Sequence, residues 1–183
     1  DMGLPFLGGN KARKMLEIEK EIISSKKNAI VTTGGIQSNH CRVAALVCAK
    51  NGWKCKLILH GNEQEFYKQN GNALIMRMCG AEIQFVTPAE IGSSMDKSME
   101  DLKNRGYSPY YLYGGGHNKL GVAAYIDVIH ELFDELGVEN QPNHIFLPSG
   151  TGSTQAGILL GLEQVGWNAT KVHGISVARI KAK

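Results

Sequence analysis

Pro148-Ser149-Gly150-Thr151-Gly152-Ser153-Thr154-Gln155-Ala156-Gly157 has the make-up of a strand-to-helix turn rich in glycine and hydroxyls. It follows the β-rich run His144 to Leu147 and opens an apolar segment of helical period that stops at Gly166. At such a strand-to-helix turn the backbone N–H groups of Gly150 to Thr154 point outward at a helix N-terminus. There the dipole and the hydroxyls of Thr151, Ser153 and Thr154 favour a phosphate. The stretch lacks the lysine of a P-loop, and its glycines run GxGxxxxG rather than the GxGxxG of a dinucleotide fold, so nucleotides are disfavoured. A Gly/Ser turn that merely caps a helix has the same local sequence, so the anion cradle needs support from elsewhere.

Outward from this turn, short β-rich runs alternate with longer segments of helical period. That is the pattern of an α/β fold with open parallel sheets and helices on both faces. The strands are Ala29 to Thr33, Lys56 to His60, Ile83 to Val86, Tyr110 to Tyr113, His144 to Leu147 and Val172 to Val177. Val122, Ile126, Ile129, Phe133 and Leu136 set one apolar stripe on a helix that Gly137 stops. Other helices run from about Lys11 to Ser25, Asn39 to Lys50, Gly71 to Cys79, Ser94 to Arg105 and Thr154 to Val165. The chain has no initiating Met, and its last strand runs into Arg179-Ile180-Lys181-Ala182-Lys183 with little left to cover it, so a piece of something longer is expected.

Composition narrows the partners. With 183 residues, 43% of them hydrophobic and 20% charged, the chain has enough apolar matter for a core. Twenty basic against 17 acidic residues leave +3, with no block dense enough to track nucleic acid. No run approaches a membrane span and the first ten residues lack a signal-peptide layout, so a cytoplasmic protein with neither nucleic-acid nor membrane partner is expected. Cys41, Cys48, Cys55 and Cys79 form no CxxC pair and no zinc-finger spacing, which reads as free thiols and no metal. Glycine is in excess, at 22 residues, and most of it is clustered where the backbone must turn sharply or approach a ligand.

Two of those clusters carry chemistry of their own. Gly8-Gly9-Asn10-Lys11, followed by Ala12-Arg13-Lys14, sets a lysine at a helix start among positive dipole ends that depress its pKa, as an amine nucleophile needs. A solvated lysine on a basic helix start is the plainer alternative. Thr32-Thr33-Gly34-Gly35-Ile36-Gln37-Ser38-Asn39-His40 delivers a hydroxyl, an amide and an imidazole to the carboxyl edge of a parallel sheet, where ligands of such sheets bind. An N-cap Ser or Asn with a surface His is the alternative there. Gly114-Gly115-Gly116-His117-Asn118 is a weaker loop of the same kind.

GGNKARK, GGIQSNHCR and SGTGSTQAG, in that order, resemble the pyridoxal-phosphate enzymes of fold type II, the tryptophan synthase β-subunit-like fold. Within them the chain is similar to the group containing 1-aminocyclopropane-1-carboxylate deaminase and D-cysteine desulfhydrase. The resemblance implies a small lobe over residues 15–117, with 1–14 and 118–183 in a larger cofactor lobe, the C-terminal part missing, and a homodimer. It implies pyridoxal 5'-phosphate as cofactor and a small amino acid as substrate. By the same resemblance Lys11 matches the lysine that holds the cofactor covalently and later moves the α-proton, and Lys14 a second lysine near the phosphate. Asn39 matches the asparagine beside the pyridine 3-oxygen. Ser38 and His40 match the residues that receive the substrate carboxylate and flank the reacting carbon. Gly150, Thr151, Gly152, Ser153 and Thr154 match the phosphate loop.

In this group the deaminase typically has Gln where His40 stands and desulfhydrase-like members have His, which tilts the expectation toward β-elimination of D-cysteine, with the deaminase or a non-catalytic cofactor-binding fragment as alternatives. Two departures stand against the pattern. His117 takes the place of a common Ser, and the chain ends before the family's late tyrosines and its partner for the pyridine nitrogen.

Overall fold

The computed structural model describes residues 4–177, and the basic tail from 178 to 183 lies outside it. The chain divides into two compact units, with the break between Gly116 and His117.

In the first unit the elements run α1 (Gly9–Ser24), β1 (Ala29–Gly35), α2 (Asn39–Asn51), β2 (Lys54–His60), α3 (Glu63–Lys68), α4 (Asn72–Met78), β3 (Glu82–Phe85), α5 (Ile91–Asn104) and β4 (Pro109–Tyr111). The four strands are parallel, in the order β3-β2-β1-β4. Alternation along β1 explains why the sheet is covered on both sides. Ala29 and Val31 pack with Ile58 against Met95 and Leu102 of α5, whereas Thr32 turns to the opposite face and meets His40 of α2. On α1 the apolar positions Ala12, Met15, Ile18 and Ile22 recur at three- and four-residue spacing and are all buried.

Three local features depart from the sequence expectation. Helix α3 was not foreseen: it is six residues long, is held by Asn62, whose side chain accepts from the Glu65 N–H at 2.9 Å, and buries Phe66 alone among its residues. So short a helix shows no periodicity to read. Helix α5 starts at Ile91 rather than Ser94, because Thr87 and Glu90 form a reciprocal capping box and Pro88 sets a tight turn ahead of it. Helix α6 (Lys119–Leu136) starts earlier than its apolar stripe, where the Asn118 side chain accepts from the Gly121 N–H at 2.8 Å.

The second unit holds α6, β5 (His144–Ser149), α7 (Ser153–Val165) and β6 (Lys171–Ser176), with β5 and β6 paired in parallel. Its core is Tyr125, Ile129, Leu147, Ile158, Leu162 and Trp167. Helices α6 and α7 approach closely because Gly157 and Gly161 face α6. A Cβ on Gly161 would stand 2.7 Å from Ile129 Cβ, and one on Gly157 would meet the Val122 carbonyl.

Candidate active site

The loop into α1 is left-handed over four successive residues: Phe6, Leu7, Gly8 and Gly9 have φ of 60°, 67°, 66° and 83°. Glycine takes that conformation freely, while Phe6 and Leu7 hold it at a cost on the order of 1 to 3 kcal/mol each. The result is a helix whose N-cap, Gly8, has no side chain to accept from the first-turn N–H groups. Those groups are left to an outside acceptor. A cavity of about 180 Å³ opens here, lined by Leu7 to Lys11 together with Asn39 and Arg42. No carboxylate lines it, and the N-termini of α1 and α2 both border it, so its field is positive.

Burial pushes the Lys11 ammonium below its ordinary range. Lys14, one helical turn on, is pushed further, to about 7, by burial first and by the charge of Lys11 second. The two lysines differ in access. Lys14 is 1% exposed and Gly116 packs on its stem, where a Cβ would lie 3.5 Å from Lys14 Cδ, whereas Lys11 borders the cavity. The larger shift therefore sits on the lysine that is closed in, and the amine open to a ligand is that of Lys11.

After β1 the chain folds back tightly, because a Cβ on Gly34 would stand 2.6 Å from Ser38 Oγ and 2.7 Å from Cys41 Sγ. Ser38 is the N-cap of α2 and accepts from the Cys41 N–H at 3.2 Å, which leaves its own hydroxyl proton to donate. Asn39 is exposed and lines the cavity. Its Oδ1 accepts from Arg42 Nη1 at 3.1 Å and from Asn72 Nδ2 at 2.9 Å.

His40 is only 3% exposed, with Nε2 at 2.8 Å from Thr32 Oγ1. The Thr32 hydroxyl donates to the Leu112 carbonyl at 2.8 Å, so it accepts from His40, and the proton of the ring is on Nε2. Burial, with Lys11 and Lys14 behind it, holds His40 at about 3 and therefore neutral.

The second unit carries the glycine-rich turn. Gly152, at φ 85°, is the N-cap of α7, a 13-residue helix, and again brings no side chain to cap its first turn. Ser153 is buried at 1% exposure, its hydroxyl 3.5 Å from Thr151 Oγ1, while Gly150 and Thr154 are half-buried and Thr151 is exposed. Gln155 braces the turn from below. It accepts from the Ser149 hydroxyl at 3.0 Å and packs against Gly174 of β6.

Of the residues singled out from sequence, the structure brings Lys11 and Asn39 to one cavity in the first unit and sets Ser38, His40 and Lys14 on the elements that build it. Gly150, Thr151, Gly152, Ser153 and Thr154 form the helix-capping turn of the second. The sequence alone assigns no role to Arg42, Asn72 or Thr32. Arg42 lies three residues after Asn39 on one helix face, a spacing that carries a signal. Asn72 arrives at the start of α4, some thirty residues on, and gives none. The donor set fits pyridoxal phosphate: a primary amine of lowered pKa on a positive cavity, an amide beside it, and an uncapped glycine helix start.

Comparison with known proteins agrees. The family model described as "Pyridoxal-phosphate dependent enzyme" matches residues 1–182. A 1-aminocyclopropane-1-carboxylate deaminase of Rhizobium rhizogenes is 36% identical over 174 residues, covering 90% of this chain and 51% of its own. A D-cysteine desulfhydrase of Klebsiella pneumoniae is 31% identical over 180 residues, covering 94% and 54%. The crystal structure of an ACC deaminase homologue superposes with a TM-score of 0.84 at 29% identity over 98% of this chain and 54% of that one. The chain thus spans about half the length of the curated relatives it matches. No helix among the described residues is long and apolar enough to cross a membrane. With a fold type II architecture, an amine on a positive cavity and a family match from end to end, the chain belongs to the pyridoxal-phosphate-dependent enzymes.

Proposed function

We propose that this chain carries the lysine-bearing half of a pyridoxal-phosphate-dependent lyase or deaminase acting on a small amino acid, with α,β-elimination from D-cysteine as its reaction. The observation that carries the reading is Lys11, an amine of lowered pKa on the wall of a cavity shared with Asn39. Pyridoxal phosphate, when bound, supplies the electron sink for the charge left when the α-proton is removed.

The chain's own residues do the rest. Lys11, whose charge burial disfavours, takes the α-proton of the substrate and returns it. The Asn39 amide holds the ring's 3-oxygen. Ser38, its oxygen already engaged by the Cys41 N–H, donates its proton to the substrate carboxylate. The turn from Gly152 to Thr154 in the second unit is, by the resemblance, the family's phosphate loop. His40 stays neutral and shapes the wall without giving up a proton. The net reaction takes D-cysteine and water to pyruvate, ammonia and hydrogen sulfide. A homodimer in the cytoplasm belongs to the same proposal, on resemblance.

His40 favours elimination from D-cysteine, because it stands where the deaminases carry Gln. The 36% identity to a deaminase favours the second reading, ring-opening of 1-aminocyclopropane-1-carboxylate to ammonia and a 2-oxo acid. The test offers both amino acids to the full chain in the presence of pyridoxal phosphate and measures sulfide and ammonia. Equal sulfide and ammonia from D-cysteine supports the proposal, ammonia from the cyclopropane alone supports the second reading, and neither product leaves a cofactor-binding fragment.

A further inference from the structure

The amide of Asn39 is set in one orientation by its neighbours. Arg42 has donors and no acceptor, so the Asn39 atom 3.1 Å from Arg42 Nη1 is the oxygen. Asn72 gives the same answer independently. Its Nδ2 donates to the Gln37 carbonyl at 2.9 Å and to Asn39 Oδ1 at 2.9 Å, while its own Oδ1 accepts from Arg42 Nη1 at 3.3 Å. Arg42 also reaches the Gly8 carbonyl through Nη2 at 3.4 Å, and so ties the loop before Lys11 to the start of α2. With Oδ1 taken twice, the nitrogen of Asn39 is the polar group of that side chain left for a ligand in the cavity.

We propose that Arg42, assisted by Asn72, is a positioning residue that locks the Asn39 amide as a hydrogen-bond donor, so that Asn39 recognises an anionic ring oxygen and rejects a donor at that place. The inference rests on the cofactor reading above. Its consequence is that Arg42 acts on the bound ring through Asn39. The charged groups that line the cavity with this amide are Lys11 on α1 and Arg42 on its own helix, while Lys14 lies near Lys11 and the neutral His40. On α4 the Arg77 guanidinium is spent on the carbonyls of Tyr67, Gln69 and Ala73, and Glu19 and Lys50 pair with each other further along α1 and α2.

The full chain is loaded with pyridoxal phosphate, and the pH midpoint of its visible absorption change is measured for the unmodified chain, Arg42→Met, Asn39→Ala and the double variant. A donor to the ring oxygen favours its deprotonated form, so each single change raises the midpoint by about one pH unit, roughly tenfold in proton affinity. The double variant shifts no further than either single one. Additive shifts overturn the proposal, because they mean that Arg42 acts directly by its charge. A midpoint unchanged in Arg42→Met overturns it too.

If Arg42→Met does not fold, Asn72→Leu, a neutral exchange, takes its place. A smaller rise that does not add to that of Asn39→Ala supports the lock, and no rise overturns it. A chain that gives no visible band with pyridoxal phosphate refutes the cofactor reading instead, and the lock is then decided without cofactor by the 15N heteronuclear NOE of the Asn39 side-chain amide. That amide is rigid in the unmodified chain and mobile in Arg42→Met or Asn72→Leu. Equal values overturn the proposal.

Discussion

His40 Nε2 donates to Thr32 Oγ1 over 2.8 Å, and it does so because the only proton of that hydroxyl is already given to the Leu112 carbonyl. The pair joins α2 to β1 and, through Leu112, to the segment after β4. Burial, then Lys11, then Lys14, hold the imidazole at about 3, against about 6.5 in an unfolded chain. The unfolded state therefore binds the extra proton between those values, and stability falls as the pH drops from about 6.5 toward 3. Gln also carries an N–H₂ donor, so His40→Gln keeps the bond to Thr32 and flattens that loss. Urea unfolding at pH 7 and pH 4.5 measures it: the drop between the two is smaller in the variant than in the unmodified chain.

Lys14 works in the same sense at higher pH. Its folded value of about 7 lies below the unfolded 10.5, so between these values the unfolded chain holds more protons and stability rises with pH. Replacing Lys14 with Met removes the cost of burying an ammonium, and the variant gains more in melting temperature at pH 6.5 than at pH 10. A gain independent of pH would place the charge of Lys14 in a better solvated setting than the structure shows.

Gly161→Ala sets propensity against packing. Alanine favours a helix by about 1 kcal/mol over glycine, yet its methyl would stand 2.7 Å from Ile129 Cβ, and overpacking of this kind costs about 1 to 3 kcal/mol. Net destabilisation is expected in chemical denaturation, because the clash is with the Cβ of Ile129 and the Ile126 carbonyl, which cannot turn away.

The thiols should be quiet. Burial pushes Cys41 up to about 12, and Cys48 together with burial drives Cys55 well above its ordinary range. Cys41, Cys48 and Cys55 are buried and Cys79 is half-buried, so a thiol reagent at pH 7.5 labels at most Cys79 in the folded chain and all four after unfolding. Mass spectrometry counts the labels.

The strands were legible because a parallel sheet buries both faces, and Ile30-Val31-Thr32 or Leu57-Ile58-Leu59 read as apolar runs between turns. The candidate cavity was legible where chemistry clusters in sequence, as in Gly8 to Lys11 and at Asn39. What stayed hidden depends on contacts made at a distance. Helix α3 exists for the sake of Phe66, whose ring meets Phe85 edge-on at 5.4 Å. The burial of His40 needs Thr32 and Leu112. The Asn39 lock needs Asn72, and no local pattern announces a partner thirty residues away.

On the proposed function, Lys11 is the amine that takes the cofactor. Its direct test incubates the full chain with pyridoxal phosphate, reduces it with borohydride and maps the labelled peptide. A yellow chain, bleached on reduction, with the added mass on Lys11, and a colourless Lys11→Ala variant are expected. Label on Lys14 or another lysine, or colour retained in Lys11→Ala, would contradict it.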